Sequence, residues 1–326
     1  MKKLATRDSL GDVLPLLGEK YKEIVVLDCD LAKATKLDKF MKMFPARSFQ
    51  IGIAEANAIG IASGLSEHGF KVFLGSFASF LTGRYDIIRC SLAYSNCPVV
   101  LVGTHCGMAI GKDGVTQMAL EDVALIRALP NMKILNPATY SEAIKCITYL
   151  CETKLDGPHY LRLGRQPVED VREDRNAPFE FGKGTIVKNN LPSKARNSIT
   201  LFSTGCILPD VLRATELIET KSREKDLYPC TTRVVNFHTL KPIDKEMIIK
   251  CAKETMYLFS VEDHTVVGGF GSIISEVLTD EYPAKLTRIG LNDIFPESGD
   301  PKDLYEKYGL SAEKIAERVL GEINES

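Results

Sequence analysis

The chain is 326 residues long, which at roughly 100–200 residues per domain implies two domains. Hydrophobic residues make up 44% and charged residues 26%, enough apolar material to offset chain entropy and exclude a disordered chain. Lys and Arg total 41 against 43 Asp and Glu, a formal charge of −2 that gives neither a basic footprint for nucleic acid nor a polybasic membrane anchor.

In chain order, residues 7–20 read as an amphipathic helix and EIVVLDCD (23–30) as a buried strand ending in carboxylates. IGIA (51–54) reads as a second strand, feeding a helix over 55–69 that stops at Gly69. KVFLGSF (71–77) is a third strand, followed by a helix over 79–94, and PVVLVGTH (98–105) is a fourth. A glycine-rich loop (107–114), a helix (119–129), a strand (133–137) and a helix (140–153) come next. Short β-rich runs separated by helices imply parallel βαβ units. From 166 to 197 the pattern breaks into a charged stretch with scattered Pro, Gly and Asn, which reads as a linker with one hairpin. A second α/β set follows, with strands at 199–205, 232–237, 256–263 and 285–291 and helices at 209–222, 244–253, 271–280 and 311–323.

No apolar run reaches the ~18 residues of a membrane span. Asp8 and Asp12 interrupt the N-terminal stretch that a signal peptide would need. The nine cysteines form no CxxC pair and are odd in number, so thiols in a reducing cytoplasm are expected. Five histidines without paired spacing give no zinc site.

Parallel sheets place ligands at the C-terminal ends of their strands. In the first domain those ends are DCD (28–30), AE (54–55), GSF (75–77), GTHCG (103–107) and NP (136–137). Glu55 sits among small apolar residues that would desolvate it, although an acid in a first helical turn also serves the helix dipole. Phe77 and Phe80 offer either core packing or a flat surface for a heterocycle. Glycines 103, 107, 111 and 114 permit a tight loop presenting His105 and Asp113, but match neither the dinucleotide fingerprint nor the P-loop. Arg7, Arg162 and Arg165 each carry a planar fork suited to phosphate or to an ordinary ion pair.

Taken in order, ATR (5–7), D-x-D-L (28–31), GIAE-x-N-x-x-GIA-x-G (52–64), SF-x-x-F (76–80), THCG-x-x-IG-x-DG-x-x-QMALED (104–122) and R-x-x-RQ (162–166) resemble the C-terminal half of transketolase. The resemblance is strong over residues 4–168 and weaker beyond, through STG (203–205), EDH (262–264) and GGFGS (268–272). It implies two three-layer α/β/α domains with mostly parallel sheets: a pyrimidine-binding domain at 1–168, a linker at 169–197 and a transketolase C-terminal domain at 198–326. It implies thiamine diphosphate as cofactor and transfer of a two-carbon ketol unit from a ketose, or its phosphate, to an aldose. Glu55 matches the glutamate that activates the cofactor's aminopyrimidine, with Ile51, Ile53 and Ala54 expected to exclude water. Phe77 and Phe80 match the rings that hold the aminopyrimidine, and Asp30, Leu31 and Ile53 lie in segments expected near the cofactor. His105 and Asp113 match sugar contacts, and Gln117 matches a site position that is His or Gln in different branches, expected to meet cofactor and sugar. Arg7 and Arg165 match the pair that grips a sugar phosphate; Arg162 has no such match and is expected to be structural.

The GDG motif that goes with magnesium in this family is absent, and the sequence begins at the ATR segment. The resemblance therefore implies the separate C-terminal subunit of a split transketolase, cytoplasmic and without a metal of its own. An N-terminal subunit holding the diphosphate and magnesium would complete a heterotetramer. Ala34 (with Thr35 beside it), Gly83, Lys112 and Val115 depart from common family residues and leave the sugar open, phosphorylated or not. Two other readings remain: the beta subunit of a 2-oxo acid dehydrogenase's first component, and a non-catalytic paralogue. The sugar-type loop and arginines argue against the former; the joint presence of Glu55, Phe77, Phe80, His105 and Asp113 argues against the latter.

Overall fold

The computed structural model describes residues 3–171, 178–192, 197–224 and 229–325. Its strands, in chain order, are β1 (Ile24–Asp28), β2 (Ser48–Gln50), β3 (Lys71–Phe77), β4 (Val99–Thr104), β5 (Lys133–Leu135), β6 (His159–Leu163), β7 (Thr185–Asn189), β8 (Asn197–Ser203), β9 (Cys230–Asn236), β10 (Thr239–Lys241), β11 (Tyr257–Thr265) and β12 (Leu286–Leu291). They form two sheets, ordered β10-β5-β6-β4-β3-β1-β2 and β12-β11-β8-β9-β7. All neighbours are parallel except the edge pairs β10–β5 and β7–β9.

The first sheet is buried on both faces, which is why its strands read as near-continuous Val/Ile/Leu runs. Ile24, Val26, Phe73, Val100 and Val102 pack with Leu10 and Leu14 of helix Asp8–Lys20 and with Cys146, Ile147 and Leu150 of helix Tyr140–Glu152. The alternate residues Leu27, Val72, Leu74, Val99 and Leu101 pack with Ala58, Ile59 and Ala62 of helix Glu55–Glu67. Helices cover both faces of the second sheet as well. Leu208–Glu224 and Ala312–Asn324 lie on one side, Lys245–Glu254 and Phe270–Glu281 on the other. One apolar cluster runs through both domains by way of Ile134, Tyr160, Phe237 and Leu240. Because β10 leaves the second half of the chain to join β5, the two domains share backbone pairing as well as core.

Several expectations are corrected. IGIA (51–54) is a turn: Gly52 has φ +80° and its carbonyl accepts from Ala54 N at 2.8 Å. The paired strand lies just upstream at β2, a short edge with little burial. The helix expected over 79–94 breaks near Gly83 into Ala78–Thr82, Tyr85–Ile87 and a π-helical turn, Ile88–Tyr94. Strand β6 was hidden in the sequence by His159 and Arg162, both buried within the fold. In place of the expected hairpin, Thr185–Asn189 pairs antiparallel with β9 as an edge of the second sheet. Residues 172–177 and 193–196 of the expected linker lie outside the described residues. Among the described residues, no helix is long and apolar enough to cross a membrane.

Candidate active site

Parallel register brings the C-terminal ends of β1, β3, β4 and β6 to one edge. Asp28 lies beside Gly75, Ser76 beside Gly103, Phe77 beside Thr104, and Thr104 beside Leu163. The segments that follow therefore emerge together, carrying residues 29–31, 77–80, 105 and 164–165.

The turn at Gly52 delivers Glu55 to the first position of its helix, where only 4% of the residue is exposed. Ser76 Oγ donates to Glu55 Oε1 at 3.0 Å, while Oε2 has no protein partner among the described residues. Sequence reasoning passed over Ser76, although it immediately precedes Phe77 in the same motif. Burial, then the charges of Glu55 and Asp28, push the neighbouring Cys29 thiol up to about 12. Ile53 is 85% exposed, so in this chain it shields nothing; Ile51 and Ala54 are half-buried.

Phe77 stacks on Phe80, with centroids 5.3 Å apart and planes at 19°, and on His105, at 3.7 Å and 28°. His105 has left-handed backbone (φ +62°). Arg7 Nη1 contacts its Nε2 at 2.7 Å. Guanidinium only donates, so Nε2 is the bare nitrogen and Nδ1 carries the proton, facing Thr104 Oγ1 at 2.8 Å. Burial, then the charges of Arg7, Arg165 and Lys36, push the imidazole down to about 3, so it is neutral near pH 7.

Arg7 Nη1 also donates to Ala34 O at 2.9 Å, and its Nε is buried without a partner among the described residues. Burial lowers the Arg7 guanidinium; Asp8 opposes this and Arg165 adds to it. Arg165 is tied to the Asp113 carboxylate and to Ile110 O. Lys36, 3.2 Å from Asp8, is a third cation of this corner. Sequence reasoning missed it because nothing local links residue 36 to residues 7 and 105.

The remaining residues border this group. Asp30 is exposed, and its N–H donates to Gln50 Oε1 at 2.9 Å. Leu31 N donates to the buried Asp28 carboxylate at 3.1 Å. Gln117 is half-buried, and its carbonyl accepts from Ser79 Oγ at 3.2 Å, tying the loop to the Phe77–Phe80 turn. Thr35 is fully buried and donates to Leu31 O at 3.1 Å, so it does not stand in for the missing serine at Ala34. Arg162 is structural. Its Nε donates to Asp122 Oδ2 at 2.8 Å, beside the Tyr160 hydroxyl on the same oxygen, and its Nη2 reaches the carbonyls of Ala119 and Asp263.

A buried carboxylate with one uncommitted oxygen, tied to the residue that precedes Phe77, together with the nearly parallel Phe77 and Phe80 rings, offers the groups that a flat heterocycle with a polar ring nitrogen needs. Among the described residues, no group of three or more His, Cys, Asp or Glu is placed to hold a metal ion.

Residues 2–170 match the transketolase pyrimidine binding domain and residues 190–315 the transketolase C-terminal domain. A Methanocaldococcus jannaschii protein, provisionally named a transketolase C-terminal section, is 39% identical over 97% of this chain and 96% of its own length. A solved split-gene transketolase, described as an inactive beta4 tetramer, is 38% identical, covers 98% of both chains and superposes with a TM-score of 0.84. The Rattus norvegicus transketolase is 34% identical over 98% of this chain, which spans only 49% of that longer enzyme. The chain belongs to the transketolase family, as a split-type subunit made of the pyrimidine-binding and C-terminal domains.

Proposed function

We propose that this chain is the C-terminal subunit of a thiamine diphosphate-dependent transketolase, with Glu55 as the carboxylate that holds the cofactor's aminopyrimidine nitrogen. The observation that carries the reading is Glu55 itself: buried, fixed through Oε1 by Ser76, the residue next to Phe77 in the chain, with no protein partner on Oε2 among the described residues. Thiamine diphosphate, when bound, supplies the electron sink for cleaving the bond beside a ketose carbonyl. Glu55 Oε2 would hydrogen-bond the pyrimidine ring nitrogen, a bond that burial would strengthen by lowering the local dielectric. Phe77 and Phe80 would supply the apolar surface for the ring. His105, neutral with its proton on Nδ1, presents Nε2 as an acceptor once Arg7 turns to a ligand.

The corner of Arg7, Arg165 and Lys36 suits an anionic sugar, and the unpartnered Arg7 Nε marks a donor that a phosphate oxygen would satisfy. Asp30, Leu31, Asp113 and Gln117 line the rest of the site. The diphosphate and its magnesium fall to a second, N-terminal subunit, and two copies of each would make a heterotetramer. The split-gene neighbour described as an inactive tetramer of beta chains supports this division. The reading places the assembly in the cytoplasm and in sugar metabolism of the pentose phosphate type.

The test is reconstitution. The purified chain with cofactor and sugar phosphates should be inactive, and adding the N-terminal partner should restore ketol transfer from a ketose phosphate. Activity of the chain alone contradicts the division. Decarboxylation of a 2-oxo acid without ketose activity would move the reading to the dehydrogenase component.

A further inference from the structure

The loop between Thr104 and Asp122 carries His105, Asp113 and Gln117 and also meets the second domain, where the contact centres on one buried carboxylate. Asp263 of β11 accepts from Met108 N on Oδ1 at 2.8 Å and from the Tyr305 hydroxyl on Oδ2 at 2.8 Å. Gly107 (φ +77°) comes so close that a Cβ there would stand 2.1 Å from Asp263 Oδ2. Gly111 (φ +78°) and Gly114 (φ +80°) also lie close against the second domain: a Cβ would meet Pro301 at 3.0 Å and Ser298 Oγ at 2.4 Å. Glycines 107, 111 and 114, read from sequence as permitting a tight loop, are thus also required by the neighbouring domain. Where the loop returns, Gly107 N donates to Ala119 O at 2.9 Å, and Thr265 N, two residues after Asp263, donates to Leu120 O at 2.8 Å. Between these anchors, Ile110 O and the Asp113 carboxylate hold Arg165.

Glycine has little intrinsic preference among backbone conformations, so a loop with three left-handed glycines takes its shape from what pins it. A carboxylate accepting two donors is a strong pin. We propose that Asp263, steadied by Tyr305, is a positioning residue: by fixing Met108 it sets the loop that holds Asp113 and Arg165 at the sugar side of the site. Asp263 does not touch that site and acts through the loop. The proposal deepens the functional reading above and rests on it for the nature of the ligand, while the anchoring stands on geometry alone. It gives the second domain a task in substrate binding.

Three variants test it. Asp263→Ala removes both acceptors, Asp263→Asn keeps the shape and one acceptor, and Tyr305→Phe removes one donor. Amide hydrogen exchange of the chain should quicken at least tenfold across 107–114 in Asp263→Ala and less in the other two, with 57–66 unchanged. In the reconstituted complex, KM for a ketose phosphate should rise at least fivefold with kcat within twofold, and Asp263→Asn should recover most of the loss. Asp244→Ala is the control. It removes another buried carboxylate of the same domain, which caps helix Lys245–Glu254 through Met247 N at 3.1 Å, and should change neither readout. Unchanged loop protection in Asp263→Ala overturns the proposal, as does an equal effect of Asp244→Ala. If Asp263→Ala fails to fold, Tyr305→Phe and Asp263→Asn decide by the same exchange readout. Faster loop exchange in a protein whose Glu55→Gln variant keeps full activity would support the anchoring while the functional reading fails.

Discussion

Arg7 and Arg165 are engaged within the chain, Arg7 by His105 and Ala34 and Arg165 by Asp113. A sugar phosphate bound here would therefore compete with these partners, offering its charge in return. A charge-assisted hydrogen bond contributes about 1.5–3 kcal/mol. Arg7→Ala or Arg165→Ala should therefore raise KM for a phosphorylated ketose roughly tenfold or more in the reconstituted complex. The same change should leave a phosphate-free ketose within about twofold. An equal loss on both sugars would assign these residues to shaping His105 and Asp113 rather than to the phosphate. Glu55, Phe77 and the two arginines were legible in the sequence because each lies within a long ordered motif, although only Phe77 and Arg165 sit at or just past a strand end. Lys36 and Ser76 were not, since their relevance arises only when distant segments meet.

At the scale of elements, β6 shows how charge can hide a strand. Arg162 lies in the middle of a sheet because Asp122 neutralises it from the loop's far end, with Tyr160 and the Ala119 carbonyl completing the set. Burial works against the Asp122 carboxylate, yet the charges of Arg162 and then His264 hold its pKa below the usual value. Removing one member of a buried pair strands the other, at a cost of about 3–5 kcal/mol. Arg162→Leu should lower the unfolding free energy from urea titration by about 3–5 kcal/mol, and the double replacement with Asp122→Leu should recover part of it. A single variant as stable as wild type would contradict the pairing. The IGIA turn teaches the converse lesson. An apolar run at strand length proved to be a turn because Gly52 adopts φ +80° and sends Ile53 to the surface. Periodicity cannot separate those outcomes in four residues.

For the whole molecule, the two-domain α/β plan was readable because parallel strands and their helices repeat with a regular rhythm. The sharing of β10 across domains was not, since three residues after β9 carry no periodicity. Folding also fixes the protonation of most histidines. Burial is the leading cause that pushes His105 down to about 3 and His159, His238 and His264 down to about 4. Their folded values lie below the unfolded value of about 6.5, so the unfolded chain binds more protons below that pH. Stability from these groups is complete above about pH 6.5 and is lost as pH falls, by ~1.4 kcal/mol per unit for each histidine. Glu262, pushed up to about 7 mainly by burial, acts in the opposite direction. Asp28, Asp210 and Asp263, which burial also raises, act with Glu262. The four histidines, with the larger shifts, leave a net loss between pH 6.5 and 5, which urea unfolding at a series of pH values would show as a falling midpoint. A flat or rising midpoint would mean that the histidines are accessible to protons in the folded chain.

The central claim is that the Glu55 carboxylate activates a cofactor that this subunit only half encloses. Glu55→Gln keeps the size of the side chain and an acceptor for Ser76 but removes the charge, so the decisive measurement is ketol transfer by the reconstituted complex carrying it. Acid–base groups of this kind contribute about 10²–10⁴-fold. The account predicts a loss of at least about a hundredfold in kcat, with cofactor affinity within about tenfold of wild type. A Glu55→Gln complex that turns over at the wild-type rate would contradict it.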